Sequence, residues 1–451
     1  MPRWFKATLA VSLVGIAVAL YLYGANIQSR LVNTDAAGND QGDYMDMAEN
    51  YARSHYTWMI PRNRMPLYPL MLTLIYRENM PEAEFFARSK EFSVLLSLVL
   101  LAALYPIFGR YLALHSAINL LLVVAFSVFV FRASYVQSEL LFCSLSFAGF
   151  WLLSRILVGP AWKVGIAAGM VLGLAYLTKG SVLAGLVLSV GCVALCGAAT
   201  VCTAFKHRAQ ELKAWRSYRR LALSAMLCVI FFLAAISHYS INSKRVYGSF
   251  LYNVNTTYYM WYDSWDQAKE GTRAHGDRSG LPNMPPDEIP SLRKYLREHK
   301  PVQMLEREWQ GLQTTIRRHT YKSYGYAKYV VLYALLALGL CGLTGRSTMA
   351  TVRKHRYLLL FWVAWPLLYV ALYSWYAPIS AGRRFLLAQF VPFMFTMAYV
   401  VERQGAELRL LLISGRRVKV GSLLNGLITV LLVTDIYWNL AYRLAHVGGG
   451  N

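Results

Sequence analysis

Long apolar blocks separated by basic or polar gaps dominate the hydropathy pattern of the chain. Each block is about 18–25 residues long, and about 20 residues of helix match a hydrocarbon core about 30 Å thick. The pattern therefore predicts eleven membrane-spanning helices, the first of them an uncleaved signal anchor that ends near Tyr23. The other ten blocks lie at about 92–109, 114–131, 139–157, 163–179, 181–204, 220–240, 325–345, 357–376, 385–402 and 421–439.

Two long polar segments interrupt these blocks, at about 25–91 and 241–322. They predict three regions along the chain. An N-terminal transmembrane catalytic module covers 1–240 and includes the first polar segment, an extracytoplasmic loop or cap covers 241–324, and C-terminal transmembrane helices cover 325–451.

The distribution of basic residues orients the predicted bundle. Lys and Arg are concentrated in the gaps 206–220, 346–356 and 403–419, which all fall on the side of the N-terminus in an eleven-span count. Because basic loops stay in the cytoplasm, the N-terminus is predicted to be cytoplasmic. Both long polar segments then face outward, together with the short gaps at 132–138, 179–181 and 377–384.

The composition excludes a soluble protein, and the positions of the basic residues explain the positive net charge. Of the 451 residues, 56% are hydrophobic and only 15% are charged, whereas soluble chains carry about 25% charged residues. The formal net charge is +23, but the basic residues lie largely in short gaps between apolar blocks, so it reports orientation and not nucleic-acid binding. The six cysteines lie in or beside apolar blocks, and neither a disulfide framework nor a cysteine metal site is indicated.

A helical pattern in the first polar segment begins at Asp40. One face of the helical wheel carries Tyr44, Met47, Ala48, Tyr51, Ala52 and His55, and the other face is charged. This predicts a helix that lies on the membrane surface with its apolar side down. Asp40 then has two interpretations, an N-cap that forms a capping-box-like pair with Asp43, or a carboxylate at the bilayer surface that takes a proton from a hydroxyl group.

A rigid turn follows, where Pro66 and Pro69 bracket Tyr68 and where Arg62 and Arg64 come first. The two arginines either reach out to lipid phosphates or form a guanidinium clamp for the phosphate of a lipid-linked substrate.

Charged residues also stand at the predicted outer ends of spans. Glu139 opens an unbroken apolar stretch, where a carboxylate either stabilises the helix dipole or faces a cavity. Lys179 either snorkels or reaches a lipid phosphate. Arg383 and Arg384 are outward exceptions to the positive-inside rule, which an anionic ligand or a lipid headgroup would explain.

The second polar segment predicts an irregular cap that rests on the first segment and encloses a groove. Its last part is an amphipathic helix, which has Leu305, Trp309, Leu312 and Ile316 on one face and leads towards the next span. The histidines of this segment lack the spacing of a metal motif. The sequence therefore assigns no metal cofactor, and it leaves open whether a divalent cation, Mg²⁺ or Mn²⁺, is required.

These motifs, in this order, resemble those of the GT-C superfamily of integral membrane glycosyltransferases. The branch they resemble most is the bacterial, family 39-like branch akin to protein mannosyltransferases and aminoarabinose transferases. The resemblance covers about 30–400 and rests on the D-x-x-x-Y-x-x-x-A pattern from Asp40, R-x-P-x-Y-P from Arg64, SELLF around Glu139, GLAYLTKG, NSKRVYGSF and RRFLLAQFVPF. Two features depart from the family pattern. Ser237-His238 and Ile241-Asn242 replace the usual Pro-Trp and Arg-Asn pairs, and Gln41 follows Asp40 where eukaryotic protein mannosyltransferases have an acid.

The resemblance implies an all-α GT-C fold with about 11 transmembrane helices. It also implies an inverting glycosyltransferase in a bacterial inner membrane, with a polyprenyl-phosphate sugar as donor on the outer face. Asp40 matches the catalytic aspartate, Glu139 the second acidic position and Arg384 the residue that meets the donor phosphate. To these we add Arg383, Lys179 and Arg64 as further phosphate-binding residues, and Tyr44, Tyr68, His55 and Arg62 as residues of a substrate groove.

The expected partners are this donor, membrane lipids, and a glycan, lipid or protein acceptor, with no nucleic acid. The alternatives are a flippase or a polymerase or ligase of lipid-linked saccharides. A flippase needs charged or broken helices at mid-membrane, whereas the ionisable residues here cluster at span ends. A polymerase or ligase usually has an acid-poor site led by arginines, so Asp40 is the residue that distinguishes it.

Overall fold

The computed structural model describes residues 3–56, 63–206, 211–321, 325–382, 384–411 and 417–447, and a helix forms in each of the eleven apolar blocks. In chain order the helices are α1 Arg3–Ile27, α2 Gln41–Arg53, α3 Leu67–Leu72, α4 Glu82–Tyr111, α5 Leu114–Val124, α6 Glu139–Val158, α7 Trp162–Tyr176, α8 Val182–Lys206, α9 Glu211–Tyr247, α10 Val254–Thr257, α11 Trp265–Ala268, α12 Leu292–Glu298, α13 Pro301–Tyr321, α14 Tyr326–Leu343, α15 Gly345–Lys354, α16 Arg356–Tyr376, α17 Leu387–Glu407 and α18 Val420–Trp438. Between α17 and α18, two short antiparallel strands, β1 Arg409–Leu411 and β2 Arg417–Lys419, form a hairpin that the sequence did not predict.

Within the described ranges, eight helical stretches are long and apolar enough to cross a membrane, by length and composition. They are Val11–Val32, Glu82–Tyr111, Glu139–Val158, Val182–Cys202, Trp215–Tyr247, Tyr326–Leu343, Arg356–Tyr376 and Val420–Arg443. Two shorter apolar helices are Leu114–Phe129 and Trp162–Tyr176. Large apolar side chains such as Leu95, Val187 and Leu335 point out of the bundle, as a lipid-facing surface requires. The chain is therefore an all-α, multi-pass membrane protein.

A stripe of glycines brings α7 close to α9. Gly165, Gly169 and Gly173 are spaced four residues apart on one face of α7. A Cβ built on Gly169 would lie 2.4 Å from the carbonyl oxygen of Cys228 in α9, and one on Gly165 would lie 2.3 Å from that of Ser224. Lipid offers no hydrophobic drive for helix association, so small residues that allow close backbone packing hold such helices together.

Helix α6 lies at the centre of the bundle. In the most apolar 18-residue stretch of Glu139–Val158, 67% of the residues are buried, whereas this share does not exceed 39% in any other candidate span of the described ranges. Phe147 of α6 packs edge-on against Phe108 of α4 and Phe395 of α17, with ring centroids 5.6 and 5.3 Å apart. One continuous core extends from Tyr21 to Leu444. Helix α6 is therefore packed against helices from both halves of the chain.

Both long polar segments and three short connections lie on one side of the bundle, here named the loop face. Its described parts come from 33–81, 130–138, 177–181, 248–325 and 377–386. Four hydrogen bonds show that these segments meet: the Leu67 amide donates to the Leu177 carbonyl, Tyr44 bonds Ser138, Tyr376 donates to Asn255, and Arg307 donates to the Trp375 carbonyl. The second polar segment adds a small core of its own, formed by Tyr252, Val254, Tyr258, Tyr259 and Ala268 with Ile379.

Helix α2 forms where the sequence predicted a surface helix, but its apolar face covers protein instead of lipid. Tyr44, Met47, Ala48 and Tyr51 are all at least 93% buried inside the chain. The Tyr44 ring meets the Tyr68 ring edge-on, with centroids 5.4 Å apart. This corrects the expectation of a helix lying apolar side down on the membrane, because Tyr68 of α3 and Ser138 before α6 contact that face.

Candidate functional site

Asp40 stands immediately before α2 with a left-handed backbone, φ 68° and ψ 11°. Only a few per cent of residues other than glycine adopt positive φ, among which Asp and Asn are enriched. The carboxylate makes no capping hydrogen bond to the helix. The N-cap interpretation therefore fails for this side chain, which turns towards cations on two other segments of the loop face.

Two arginines contact the Asp40 carboxylate, Arg64 from the segment before α3 and Arg384 from the segment before α17. Arg64 Nη2 lies 2.7 Å from Oδ1, and Arg384 Nη2 lies 2.5 Å from Oδ2. Arg64 also donates to Asp43 Oδ2 over 2.9 Å, and its guanidinium lies 5.8 Å from the centre of the Tyr44 ring. The side chains of Arg64, Arg384 and Asp40 are only 19, 13 and 28% exposed. Partial shielding from water strengthens these charge-assisted contacts.

Arg384 and Lys179 link this carboxylate to the second one, Glu139. Arg384 Nη1 and Lys179 Nζ each lie 3.8 Å from Glu139 Oε1. At that separation the groups are ion pairs without a hydrogen bond. The other carboxylate oxygen, Glu139 Oε2, is buried and has no hydrogen-bond partner in the described part of the structure. The same holds for the Nε atoms of Arg64 and Arg384. The cluster thus keeps unused donors and an unused acceptor.

Aromatic rings form the walls of the cluster. Lys179 Nζ lies 5.8 Å from the centre of the Phe142 ring and 5.4 Å from that of Phe385. The Phe385 ring stacks on Tyr373 at 5.2 Å. These rings limit access of water to Lys179 and hold its ammonium group by cation–π attraction.

Burial and neighbouring charges set the protonation of the two groups outside the spans. Burial alone would raise the pKa of Asp40, but Arg64 and Arg384 outweigh it, so its pKa lies below the usual range. For Lys179, burial lowers the pKa to about 8, since the repulsion from Arg384 and Arg64 adds to it and Glu139 only partly opposes it. Asp40 is therefore a carboxylate at neutral pH, and Lys179 loses its charge just above neutral pH.

The predicted groove residues lie in different surroundings. Tyr44 and Tyr68 are buried, and their hydroxyls bond Ser138 at 2.9 Å and Ser93 at 2.6 Å. The Tyr44 ring lies against the Arg64 guanidinium, and Tyr68 packs against Tyr44. His55 follows the end of α2 with φ 47° and is exposed. Arg62 and Arg383 lie outside the described residues.

Sequence reasoning passed over two charged members of the cluster. Asp43 shares Arg64 with Asp40, although the sequence placed it only as a capping partner. Arg132 is 2% exposed, donates to Gln137 over 3.0 Å, and lies close enough to Glu139 to attract its carboxylate. A signal for Arg132 was present, because it is a further basic residue in a predicted outer gap, as Arg384 is.

A cluster of four cations and three carboxylates thus forms at the N-terminal end of α6. The cations are Arg64, Arg132, Lys179 and Arg384, and the carboxylates are Asp40, Asp43 and Glu139. The cations can hold an anion such as a phosphate, and the carboxylates can accept a proton. Among the described residues, no group of three or more His, Cys, Asp or Glu side chains is arranged to hold a metal ion.

Comparison of the chain with protein-family models, curated proteins and solved structures finds no match.

Proposed function

We propose that the chain is an inverting glycosyltransferase that uses a polyprenyl-phosphate sugar and transfers the sugar to an acceptor hydroxyl. The observation that carries the proposal is the position of Asp40 between Arg64 and Arg384. One carboxylate and several phosphate-binding cations are thereby joined in one cluster at the ends of membrane-length helices. A lipid-linked donor presents its phosphate at this level, while its tail stays in the bilayer.

In the proposed reaction the Asp40 carboxylate takes the proton of the acceptor hydroxyl. The acceptor oxygen forms a bond to the anomeric carbon of the sugar as the bond between that carbon and the phosphate oxygen breaks. The electron pair leaves with the polyprenyl phosphate, where charge increases. Arg384 and Lys179 stabilise this charge, and such stabilisation accelerates the reaction only as far as it is stronger in the transition state.

The arginines that lower the pKa of Asp40 also make it a weak base before the donor arrives. A donor phosphate that binds Arg64 and Arg384 neutralises part of their charge. The pKa of Asp40 then rises, and the carboxylate gains basicity when both substrates are present. Asp40 thus occupies the anion site in the resting protein and is released for catalysis by the donor.

The presence of an apolar cavity in the bundle favours a donor that has a long apolar tail. It lies between α16 and α17 beside Phe150 of α6, has a volume of about 280 Å³, and is lined by Trp362, Pro366 and Pro392 among others. Pro392 follows Arg384 by eight positions, on the helix that leads from the cluster into the bundle. The cavity is separate from the charged cluster and offers space to an alkyl or isoprenyl chain.

The proposal includes eleven spans of the GT-C type, a cytoplasmic N-terminus, and a loop face outside a bacterial inner membrane. Its support is the basic composition of the gaps opposite the loop face. Single cysteines at Asp287 on the loop face and at Met349 in α15 test it in intact cells. We expect an impermeant thiol reagent to label the first and not the second, and the opposite labelling would refute the orientation.

The activity is tested with purified protein in nanodiscs and a panel of polyprenyl-phosphate-linked hexoses and pentoses. The measured product is free polyprenyl phosphate together with the glycosylated acceptor. We expect Asp40→Asn to reduce turnover by about 10²–10⁴-fold, as loss of a general base does. The matched control is Asp46→Asn, an exposed carboxylate on the same helix. Equal turnover in wild-type and Asp40→Asn protein would remove the catalytic assignment.

A further inference from the structure

Helix α13 presents three different faces. The side chains turned towards the protein are polar or small, namely Arg307, Gly311, Thr315 and Arg318. A second face carries Glu306, Gln310, Gln313 and Arg317. The third face carries the apolar side chains that the sequence singled out. At 100° per residue these faces are centred roughly 100–135° apart around the helix.

The contacts of the protein-facing side are specific and close. Arg307 donates to Asp263 over 2.9 Å and to the carbonyl oxygen of Trp375 over 3.1 Å. A Cβ on Gly311 would lie 1.9 Å from the carbonyl oxygen of Ser374, so α13 rests directly on the last turn of α16. Arg318 donates to the carbonyl of Ala381, in the loop that carries Arg384. The helix is therefore held at the level of the α16 end by its polar side.

The apolar face is left outside the protein. Val302, Leu305, Trp309 and Ile316 are 72, 70, 60 and 54% exposed. On the preceding helix α12, Leu292 and Leu296 are also 52 and 54% exposed. Monomeric proteins rarely leave so large an apolar surface in water, and such surfaces mark an interaction site.

The neighbouring helices indicate what covers this face. Only four residues separate the end of α13 from the start of α14, a membrane-length helix with exposed Val331 and Leu335. Helix α16, on which α13 rests, likewise exposes Val363 and Leu367. The stripe of α13 thus continues the lipid-facing surface of its neighbours at the height where their helices end, and Trp is a residue typical of that interface.

We propose that α13 lies in the interface of the membrane leaflet next to the loop face. Val302, Leu305, Trp309 and Ile316 insert at the boundary between headgroups and acyl chains. The face with Glu306, Gln310 and Gln313 is in water, and the face with Arg307, Gly311 and Arg318 contacts the protein. The bilayer then sets the height of α13 and, through Arg318, of the loop that carries Arg384. This inference stands independently of the proposed reaction, because it needs only a membrane protein.

The test uses full-length protein in nanodiscs with a fluorophore on a single introduced cysteine. Leu305→Cys and Ile316→Cys report the apolar face, and Gln313→Cys is the matched control on the water face of the same helix. All three positions are exposed, so the substitutions leave the packing intact. Labelling of the native cysteines is measured on the unaltered chain and subtracted.

We expect brominated phospholipids to quench the fluorophore at positions 305 and 316 at least several-fold more than the one at 313. Aqueous iodide should show the reverse order. Equal quenching of all three positions by iodide would place the apolar face in water and overturn the proposal. Protection of 305 and 316 from both quenchers, with cross-linking between two copies through these cysteines, would overturn it in favour of a dimer interface.

Discussion

Replacing Asp40 by Asn is expected to tighten the binding of a lipid phosphate while it strongly slows transfer. In the resting protein the Asp40 carboxylate pairs with Arg64 and Arg384, with contacts of 2.7 and 2.5 Å. An incoming phosphate must displace it from them. Asn has nearly the same size and also tolerates a left-handed backbone, so the fold around φ 68° should persist. Only the competing charge is removed.

The size of the effect follows from the geometry. A unit charge 4 Å from a phosphate interacts with about 4 kcal/mol at the effective dielectric constant of 20 that is typical near protein surfaces. The Asp40 side chain is 28% exposed, so solvent screens a large part of this energy. In addition, the displaced carboxylate regains water. We therefore expect a gain of about 1.4 kcal/mol, which is tenfold in affinity.

The assay is a titration of purified wild-type and variant protein in nanodiscs with a polyprenyl phosphate. Asp43→Asn is the matched control, because Asp43 also pairs with Arg64 but its side chain is 54% exposed. Its effect on affinity should be smaller. Asp40→Ala should bind phosphate as tightly as Asp40→Asn but should lose about 1–3 kcal/mol of stability, since alanine strains the left-handed backbone.

Unchanged or weaker phosphate binding by Asp40→Asn would refute the reasoning. The carboxylate and the phosphate would then not compete for Arg64 and Arg384, and these arginines would serve only to hold the loop face together. Such a result would leave a possible role of Asp40 as a base untouched, because turnover measures that role separately.

Three further predictions concern the cations and the helix packing. Arg384→Ala should weaken binding of a polyprenyl phosphodiester by about 1.5–3 kcal/mol. Arg384→Lys should restore only part of the lost affinity, since a point charge lacks the fork of a guanidinium. Equal affinities of wild-type and Arg384→Ala protein would contradict a phosphate contact. Because the pKa of Lys179 is lowered to about 8, the ammonium is charged below pH 8, and affinity should fall as the pH rises through 8 in wild type but not in Lys179→Arg. Gly169→Ala places a Cβ 2.4 Å from a backbone oxygen of α9 and should lower the free energy of thermal unfolding by about 1–3 kcal/mol. Gly191 has open space around it, so Gly191→Ala should leave the stability unchanged. Equal losses of stability in the two variants would refute close packing of α7 and α9.

The sequence alone determined the helical membrane architecture and most positions of the charged cluster. Apolar blocks of membrane length form helices because lipid leaves no other partner for the backbone, so a helix occurs in each predicted block. Glu139, Lys179 and Arg384 were recognisable because charge beside apolar blocks is costly without a partner. Asp40 was recognisable because it stands at the start of a helical pattern in the first polar segment.

The tertiary structure decided which of these charges are partners. Lys179 and Glu139 are 40 positions apart in sequence, and Arg384 is 344 positions from Asp40, so no local pattern could join them. Their contacts depend on how α6, α7 and α16 end at one height on the loop face. The same holds for Asp40 itself. Its sequence pattern fitted a helix cap, and only the position of two distant arginines turned its carboxylate away from the helix.

Helices α2 and α13 show the same division most clearly. For both, the periodicity of the sequence identified most of the apolar face, because side-chain directions repeat every 3.6 residues. His55 is the exception, since α2 ends at Arg53 and His55 is exposed. The periodicity could not say what each face would cover. In α2 the apolar face is buried in the protein, whereas in α13 it is exposed and a polar side makes the protein contacts. Which surface an amphipathic helix buries depends on the neighbours that long-range folding supplies, and a helical wheel contains no information about them.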